Sequence, residues 1–240
     1  MAVEKIRVAV IGTGSLGKEH ARLYAELARA GQVEFAGVFD ANPEAARKHA
    51  AAHGTRAFTS LAEAAAASDA LSVVTPTTTH FELAKALLAA GRHVLVEKPI
   101  ALNMADADRI IAAAKKANVE LRVGYSRRFK DRYLIAKEQI LQGRIGKIVG
   151  GAARVFNSRS QALAMMKRNP EATPVVDALT YYVDLMNWLL EGNAPVEVFA
   201  RGQKGVLKEA GHDVDDVNWS IITYADGAVV NLGVSYALPE

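Results

Sequence analysis

The sequence predicts an α/β chain, with an N-terminal doubly wound parallel sheet followed by a C-terminal α+β domain built on a mainly antiparallel sheet. Three observations carry this. Short apolar, β-branched runs alternate with helix-forming stretches from Ile6 to Val123, the pattern of β-α repeats whose strands lie parallel. Gly12-Thr13-Gly14-Ser15-Leu16-Gly17 falls between the first such run and the first helical stretch, where a phosphate-cradling turn would sit. After Gly124 the pattern changes to long alternating strands, Val217 to Tyr224 and Ala228 to Tyr236, joined at Ala225-Asp226-Gly227, as in antiparallel hairpins. The boundary is placed at Gly124, dividing the chain into residues 1–124 and 125–240.

Bulk composition sets limits. At 240 residues, 50% hydrophobic and 23% charged, the chain is an ordinary globular one of one large or two smaller domains, and the change of pattern selects two. A net charge of +3 with scattered Lys and Arg gives no nucleic-acid footprint, although it suits an anionic ligand such as a dinucleotide. The absence of cysteine excludes disulfides, thiolate metal sites and a Cys nucleophile. No apolar run reaches bilayer-spanning length, and Met1-Ala2-Val3-Glu4-Lys5 leads into a strand without a signal-peptide pattern, so no membrane partner and a cytoplasmic location are expected.

In chain order, Ile6 to Ile11 is the first strand and Lys18 to Ala30 the first helix. Between them Gly12 makes the tight turn, Gly14 lets the backbone approach a pyrophosphate, and Gly17 permits close helix–strand packing. Thr13, Ser15 and Leu16 complete this cofactor-binding loop, and the helix start offers free N–H groups to phosphates. The second strand, Glu34 to Phe39, ends at Asp40, where an acid binds the ribose hydroxyls of an adenine dinucleotide. Its charge opposes a 2′-phosphate and favours NAD over NADP. A second role stays open, in which Asp40 begins the loop Asp40-Ala41-Asn42-Pro43 and caps the helix from Glu44.

Ser60 caps an alanine-rich helix to Ala67, and Ala70 to Val74 is the next buried strand. In Thr75-Pro76-Thr77-Thr78-Thr79-His80, hydroxyls cap the next helix, line the cofactor pocket, or both. Thr75, Pro76, Thr77 and His80 are assigned to the cofactor site, with a structural role as the alternative for His80. That helix runs to Ala90 and Gly91 closes it. Val94-Leu95-Val96 is a buried strand, and Glu97-Lys98-Pro99 lies just past its end, where open parallel sheets bind ligands. Pro99 holds Lys98 in an extended or turn conformation, with a cis bond as one way of doing so. Lys98 is then either a reacting group or part of a surface turn in which Glu97 pairs with it. Asn103 caps a helix to about Ala117 that buries Ile110 and Ile111, and Val119 to Val123 is the last strand of the repeat.

Beyond Gly124, Tyr125-Ser126-Arg127-Arg128-Phe129 leads into a helix to Gln142, Gly143-Arg144-Ile145-Gly146 is a turn, and Lys147 to Phe156 is a long strand. Arg127 and Arg128 are candidates to hold a polar substrate or the cofactor, with one of them solvated or paired with Asp131 as the alternative. Asn157 to Thr173 has no period and reads as a loop with some helix, a lid or partner surface. Val175 to Leu190 is a helix in which Val176, Leu179, Val183, Met186 and Leu190 form an apolar stripe facing a sheet. Asp177, Tyr181, Asp184, Trp188 and Glu191 share a second face that gathers carboxylates and a phenol within reach of one another, where an ordinary helix would be solvated, and Gly192 stops the helix. Val196 to Ala200 is a strand. The alternation of Val217, Trp219, Ile221 and Thr223 marks one covered face of the second sheet and leaves the other for a second subunit. His212-Asp213-Val214-Asp215-Asp216 lacks a metal-ligand spacing and reads as a solvated loop, so no metal is expected.

Three features coincide: the Gly12-Gly14-Gly17 fingerprint, Glu97-Lys98-Pro99 after the fifth strand, and Asp177 with its helix in an α+β second domain. Together they resemble the glucose-fructose oxidoreductase, inositol dehydrogenase and rhizopine catabolism (Gfo/Idh/MocA) family over essentially the whole chain. Thr75-Pro76 with His80, Gly124-Tyr125, Arg127-Arg128-Phe129 and Trp188-Leu189 before Gly192 share in the likeness. The resemblance implies a dinucleotide-binding Rossmann domain and a substrate and oligomerisation domain. It also implies a nicotinamide-dependent oxidoreductase for a sugar, inositol or related polyol or its keto form, working as a homodimer or homotetramer through the C-terminal sheet. By the same likeness Lys98 and Asp177 belong to the catalytic group, with Glu97, Lys98 and Arg127 near the cofactor.

Two departures matter. The family's helix reads Asp-x-Gly-x-His-x-x-Asp, and here Asp177, Leu179, Tyr181 and Asp184 fill those places, so Tyr181 stands where the acid/base histidine would be. Relatives continue beyond the place of Glu240 with more sheet and a further helix, which makes an incomplete substrate domain the expectation. A non-catalytic dinucleotide-binding regulator or scaffold is the alternative function. The missing histidine favours it, while retention of Lys98 and Asp177 opposes it.

Overall fold

The computed structural model describes residues 5–168 and 172–239; the expected lead through Met1 to Glu4 and positions 169–171 of the expected loop lie outside them. The chain separates after Gly124 into two compact units. Among the described residues no helix is long and apolar enough to cross a membrane.

The first unit alternates strand and helix: β1 (Arg7–Ile11), α1 (Gly17–Arg29), β2 (Glu34–Phe39), α2 (Pro43–His53), β3 (Arg56–Ala57), α3 (Leu61–Ala67), β4 (Ala70–Val73), α4 (His80–Ala89), β5 (His93–Val96), α5 (Met104–Ala117) and β6 (Leu121–Val123). The strands form a six-stranded sheet in the order β3-β2-β1-β4-β5-β6, and every pairing is parallel. Both faces are covered, with Ala9, Ile11 and Leu71 in one apolar cluster and Val10, Val38 and Ala21 in another. Burial on both sides is why these strands read as continuous apolar runs. Strand order reverses between β1 and β4, so a crevice opens beyond their carboxyl ends.

Local chemistry sets the helix starts. The Ser60 side chain accepts from the Glu63 N–H at 3.1 Å and Asn103 from the Asp106 N–H at 2.9 Å. At α2 the cap is Asn42, which accepts from the N–H groups of Glu44 at 3.0 Å and Ala45 at 3.4 Å, and not Asp40. Pro43 at the first helical position makes the residue before it the cap. The expected threonine caps are absent as well: Thr77–Thr79 is a 3-10 turn into α4, and no side chain caps either. In α5, Ile110 is fully buried while Ile111 is 40% exposed. At 3.6 residues per turn neighbours point about 100° apart, so one of the two isoleucines meets the sheet and the other does not.

The second unit holds a 3-10 turn at Ser126–Phe129, α6 (Asp131–Leu141), β7 (Gly150–Ser158), α7 (Arg159–Arg168), a π-helical turn at Val175–Leu179 running into α8 (Thr180–Leu189), β8 (Pro195–Gln203), α9 (Val206–Glu209), β9 (Val217–Tyr224) and β10 (Val229–Leu238). Its sheet has the order β7-β10-β9-β8, antiparallel except where β10 pairs with β7. The stretch read as loop and lid is largely α7, whose Ala162, Met165 and Met166 enter the core. The apolar stripe of the next helix holds for Leu179, Val183, Met186 and Leu190, but Val176 is exposed and Ala178 is buried instead. The π turn changes the angular spacing of its residues, so a 3.6-residue period cannot be extended back through it.

Which face of the second sheet is covered also differs from the alternation. Ile222 and Tyr224 lie in the core with Val230, Leu232, Val234 and Tyr236 of β10, while Trp219 and Ile221 are exposed. Both faces of β9 carry apolar residues, so its own pattern is ambiguous, whereas β10 is unambiguous and register fixes the parity. On the open face Trp219 lies across Gly233, Phe156 meets it edge-on at 6.2 Å, and the Arg154 guanidinium is 5.5 Å from its ring. Asp216, read as part of a solvated loop, is buried and accepts from the Leu207 N–H at 2.7 Å.

Truncating Ile110 to Ala should lower the unfolding free energy by about 2–5 kcal/mol, while Ile111→Ala should change it by roughly 0.5 kcal/mol or less. Urea denaturation of the two variants checks this, and equal losses would contradict the burial assigned to α5.

Candidate active site

The glycine-rich loop packs against the ends of β1 and β4. Gly12 has φ +92°, and a Cβ there would lie 2.7 Å from Thr75 Cγ2 and 2.8 Å from the Val74 carbonyl oxygen. A Cβ on Gly17 would overlap the carbonyl oxygen of Gly12. Gly14 differs, because a Cβ built on it meets nothing within 4 Å. No side chain caps α1, and among the described residues the N–H groups of Gly14, Ser15 and Leu16 have no protein acceptor. Free donors facing open space at the positive end of a helix fit the pyrophosphate of a dinucleotide.

Asp40 bridges this loop to the start of α2. Its Oδ2 accepts from the Thr13 N–H at 2.7 Å and the Thr13 hydroxyl at 2.8 Å, and its Oδ1 accepts from the Asn42 N–H at 2.9 Å. Thr13 is therefore engaged with Asp40, which alters its expected direct role at the cofactor. Burial pushes the Asp40 carboxyl up, but the hydrogen bonds from Asn42 and Thr13, with His49 nearby, bring it below the usual aspartate range. It is anionic at neutral pH, and Oδ1 keeps a lone pair for a further donor.

The Lys98 turn is built from both sides. Glu97 does not pair with Lys98; its Oε1 lies 3.2 Å from His20 Nε2, and its carboxylate rests on Gly124, where a Cβ would come within 2.6 Å. The Lys98–Pro99 peptide bond is cis. His80 is 1% exposed, with Nδ1 2.9 Å from the Pro99 carbonyl oxygen and Nε2 2.9 Å from that of Thr75. Both ring nitrogens face backbone carbonyls, so the structure favours for His80 the structural role that the sequence left open over the assigned place at the cofactor. A neutral ring donates to one of these carbonyls and a protonated ring to both. Thr75 and Thr79 lie together on the turn, 2.7 Å apart at their hydroxyls. His20 escaped the sequence reading; its signal is its place one turn into α1, directly after the fingerprint.

In the second unit the polar face of the π turn and α8 is paired along its length. Tyr236 Oη donates to Asp177 Oδ2 at 2.6 Å, Arg128 holds Asp184 through Nε at 2.8 Å and a second, shorter bond, and Lys137 reaches Glu191 at 3.1 Å and the Trp188 carbonyl at 2.6 Å. The solvated face of an ordinary helix, and the alternative pairing of an arginine with Asp131, give way to these contacts. Arg127 lies over the rings of Tyr181 at 5.0 Å and Tyr182 at 4.6 Å, with Nε buried and without a hydrogen-bond partner. Tyr125 stands edge-on to Tyr181 at 6.2 Å and its hydroxyl is 2.8 Å from that of Thr180. Among the described residues no three His, Cys, Asp or Glu form a metal-binding group.

A parallel sheet in this order, with a glycine loop open at one residue and a lysine turn at the end of β5, defines a Rossmann-type dinucleotide-binding protein. Residues 6–125 match the family model described as "Oxidoreductase family, NAD-binding Rossmann fold", and residues 133–240 match "GFO/IDH/MocA C-terminal domain". The chain belongs to the Gfo/Idh/MocA family, and its first unit is that family's NAD-binding domain. It is 35% identical to UDP-N-acetylglucosamine 3-dehydrogenase of Acidithiobacillus ferrooxidans over 98% of this chain and 68% of that protein. To inositol 2-dehydrogenase of Rhizobium meliloti it is 32% identical, over 90% of this chain and 64% of that protein. The chain thus spans about two thirds of the length of these relatives. Among solved structures, the A. ferrooxidans enzyme superposes with a TM-score of 0.83 at 33% identity, covering 99% of this chain and 72% of that one. Scyllo-inositol dehydrogenase of Lactobacillus casei, solved with NAD(H) and scyllo-inositol, shares the fold with a TM-score of 0.84 at 23% identity, covering 98% and 71%.

Two glycines of the loop should separate by experiment. Gly17→Ala forces α1 off the loop and should lower the melting temperature along with NADH affinity. Gly14→Ala meets no protein atom, so it should leave melting unchanged and weaken NADH binding alone. Thermal unfolding and NADH fluorescence titration give the two readouts; unchanged NADH affinity in Gly14→Ala would remove the loop from the cofactor site.

Proposed function

We propose that the protein transfers a hydride between NAD(H) and a hydroxyl- or keto-bearing carbon of a sugar, inositol or related polyol. The observation that carries the reading is Lys98, held at the end of β5 in the same unit as a glycine loop with open N–H donors. The dehydrogenase relatives support it. Bound NADH supplies the hydride. The N–H groups of Gly14, Ser15 and Leu16 hold the pyrophosphate, and Thr75, Pro76 and Thr77 border the crevice. Asp40 accepts a ribose hydroxyl at Oδ1, and its charge disfavours a 2′-phosphate, so NAD is preferred to NADP. Lys98 donates to the reacting oxygen and stabilises negative charge there as hydride arrives. In the second unit Asp177 and Tyr181 handle the proton, and Arg127 offers donors to oxygens of substrate or cofactor. The first unit is thus a dinucleotide-binding domain and the second a substrate domain. The exposed face carrying Phe156, Phe199, Trp219 and Ile221 supports assembly as a homodimer or homotetramer through the second sheet.

Absorbance at the NADH band with a panel of keto-sugars and inososes tests the activity, and NADPH should support weaker binding and turnover than NADH. Lys98→Met should keep NADH affinity and lose turnover by orders of magnitude. Equal use of NADPH would remove the Asp40 argument, and near-normal turnover in Lys98→Met would remove Lys98 from the chemistry.

Tyr181 is proposed as the proton donor in reduction. A free phenol ionises at about pH 10, so near neutrality it is protonated, a proton donor and a poor base. Reduction should be the easier direction at neutral pH, with oxidation rising toward alkaline pH. Tyr181→Phe removes only the hydroxyl and should lower turnover without changing NADH affinity; an unchanged rate and pH profile would leave Tyr181 as packing beside Arg127.

A further inference from the structure

We infer that His20 and His80 are positioning residues for Lys98, bracing the backbone turn on either side of it. The inference rests on the proposed role of Lys98. On the N-terminal side, Glu97 Oε1 lies 3.2 Å from His20 Nε2, in a pair whose side chains are 16% and 13% exposed, and its carboxylate is seated on Gly124. On the C-terminal side, the Pro99 carbonyl oxygen lies 2.9 Å from His80 Nδ1. The other nitrogen of that buried ring lies 2.9 Å from the Thr75 carbonyl oxygen, so a single imidazole is packed between the turn after β4 and the turn after β5.

The braces come from separate helices, His20 from α1 and His80 from α4. A histidine present for its bulk alone has no need of polar partners at the ring nitrogens. Here one ring contact of each histidine falls on a residue that flanks the same lysine, Glu97 for His20 and Pro99 for His80. The ammonium stands at the end of the lysine stem, so moving the backbone from which the stem starts moves the region the ammonium can reach. Misplacement of a reacting group by about 1 Å costs on the order of 10²-fold in rate.

His20→Leu and His80→Phe remove the ring nitrogens and keep bulk, while His20→Gln and His80→Gln return one donor to each place. Expected in the Leu and Phe variants are a kcat lower by about 10²-fold, unchanged NADH affinity, and a larger isotope effect with 4-deuterated NADH as hydride transfer becomes limiting. The Gln variants should recover part of kcat. A second readout needs no turnover: in reductively 13C-methylated protein, the Lys98 resonance, assigned by its loss in Lys98→Arg, should shift and broaden in the Leu and Phe variants. Unchanged kcat and an unchanged resonance overturn the inference. A fall in kcat matched by equal losses of NADH affinity and melting temperature overturns it as well, since that marks bulk packing. Should the wild type reduce none of the keto-sugars or inososes, the proposed function fails while the resonance still decides the positioning roles.

Discussion

The close approach of α1 to the end of β1 depends on there being no side chain at Gly17. Its Cα sits so near the Gly12 carbonyl oxygen that a Cβ would overlap it, and backbone on both sides of the contact leaves nothing that can yield. Three features of the first unit follow from this approach. The uncapped start of α1 stands next to the Gly12 turn, so its free N–H groups collect at the strand ends. Gly12 itself is pressed against Val74 and Thr75, which ties the loop to the end of β4. His20, one turn into the helix, comes within 3.2 Å of Glu97 at the end of β5. A steric condition in the first loop thereby reaches the lysine turn distant from it in sequence.

Much of the first unit was legible because its signals are local. Each strand buried on both faces appears as an apolar run, and Ser60 and Asn103 announce the helices they cap. The family was legible for a similar reason, since the glycine fingerprint and Glu97-Lys98-Pro99 are contiguous. The errors arose where two local readings competed or where the deciding atom lay far along the chain. Asp40 and Asn42 are both plausible caps two residues apart, and Pro43 chooses between them, freeing Asp40 to hold Thr13. His80 reads from its position after a strand end as either a pocket or a structural residue, and the deciding neighbours are the carbonyls of Thr75 and Pro99. In β9 the apolar residues on alternate positions gave a parity, and β10 gave the opposite one by burying Val230, Leu232 and Val234 opposite the other set.

The helical face that gathers Asp177, Tyr181, Asp184, Trp188 and Glu191 illustrates a more general limit. A helical wheel shows which side chains share a face, yet not what approaches that face from elsewhere. Here Tyr236 comes from β10, Lys137 from α6, and Arg127 and Arg128 from the turn before α6, so a set that reads as solvated is paired throughout. The π turn adds to this, because it places Ala178 and Leu179 together in the core while Asp177 faces Tyr236.

Arg127 and Arg128 are adjacent and chemically identical, and their surroundings separate them. Arg128 grips Asp184 through two bonds, and those bonds hold its guanidinium above the usual arginine range despite the opposing effect of burial. Its charge is neutralised within the unit and its donors serve the fold. Arg127 has aromatic neighbours instead: two tyrosine rings offer their faces to the cation, but a ring face cannot accept the in-plane N–H bonds, and Nε is left buried without a partner. An unmet buried donor costs roughly 1–3 kcal/mol. The aromatic seat therefore fixes where the guanidinium lies while its buried Nε has no hydrogen-bond partner, whereas Arg128, one residue on, is held by a carboxylate.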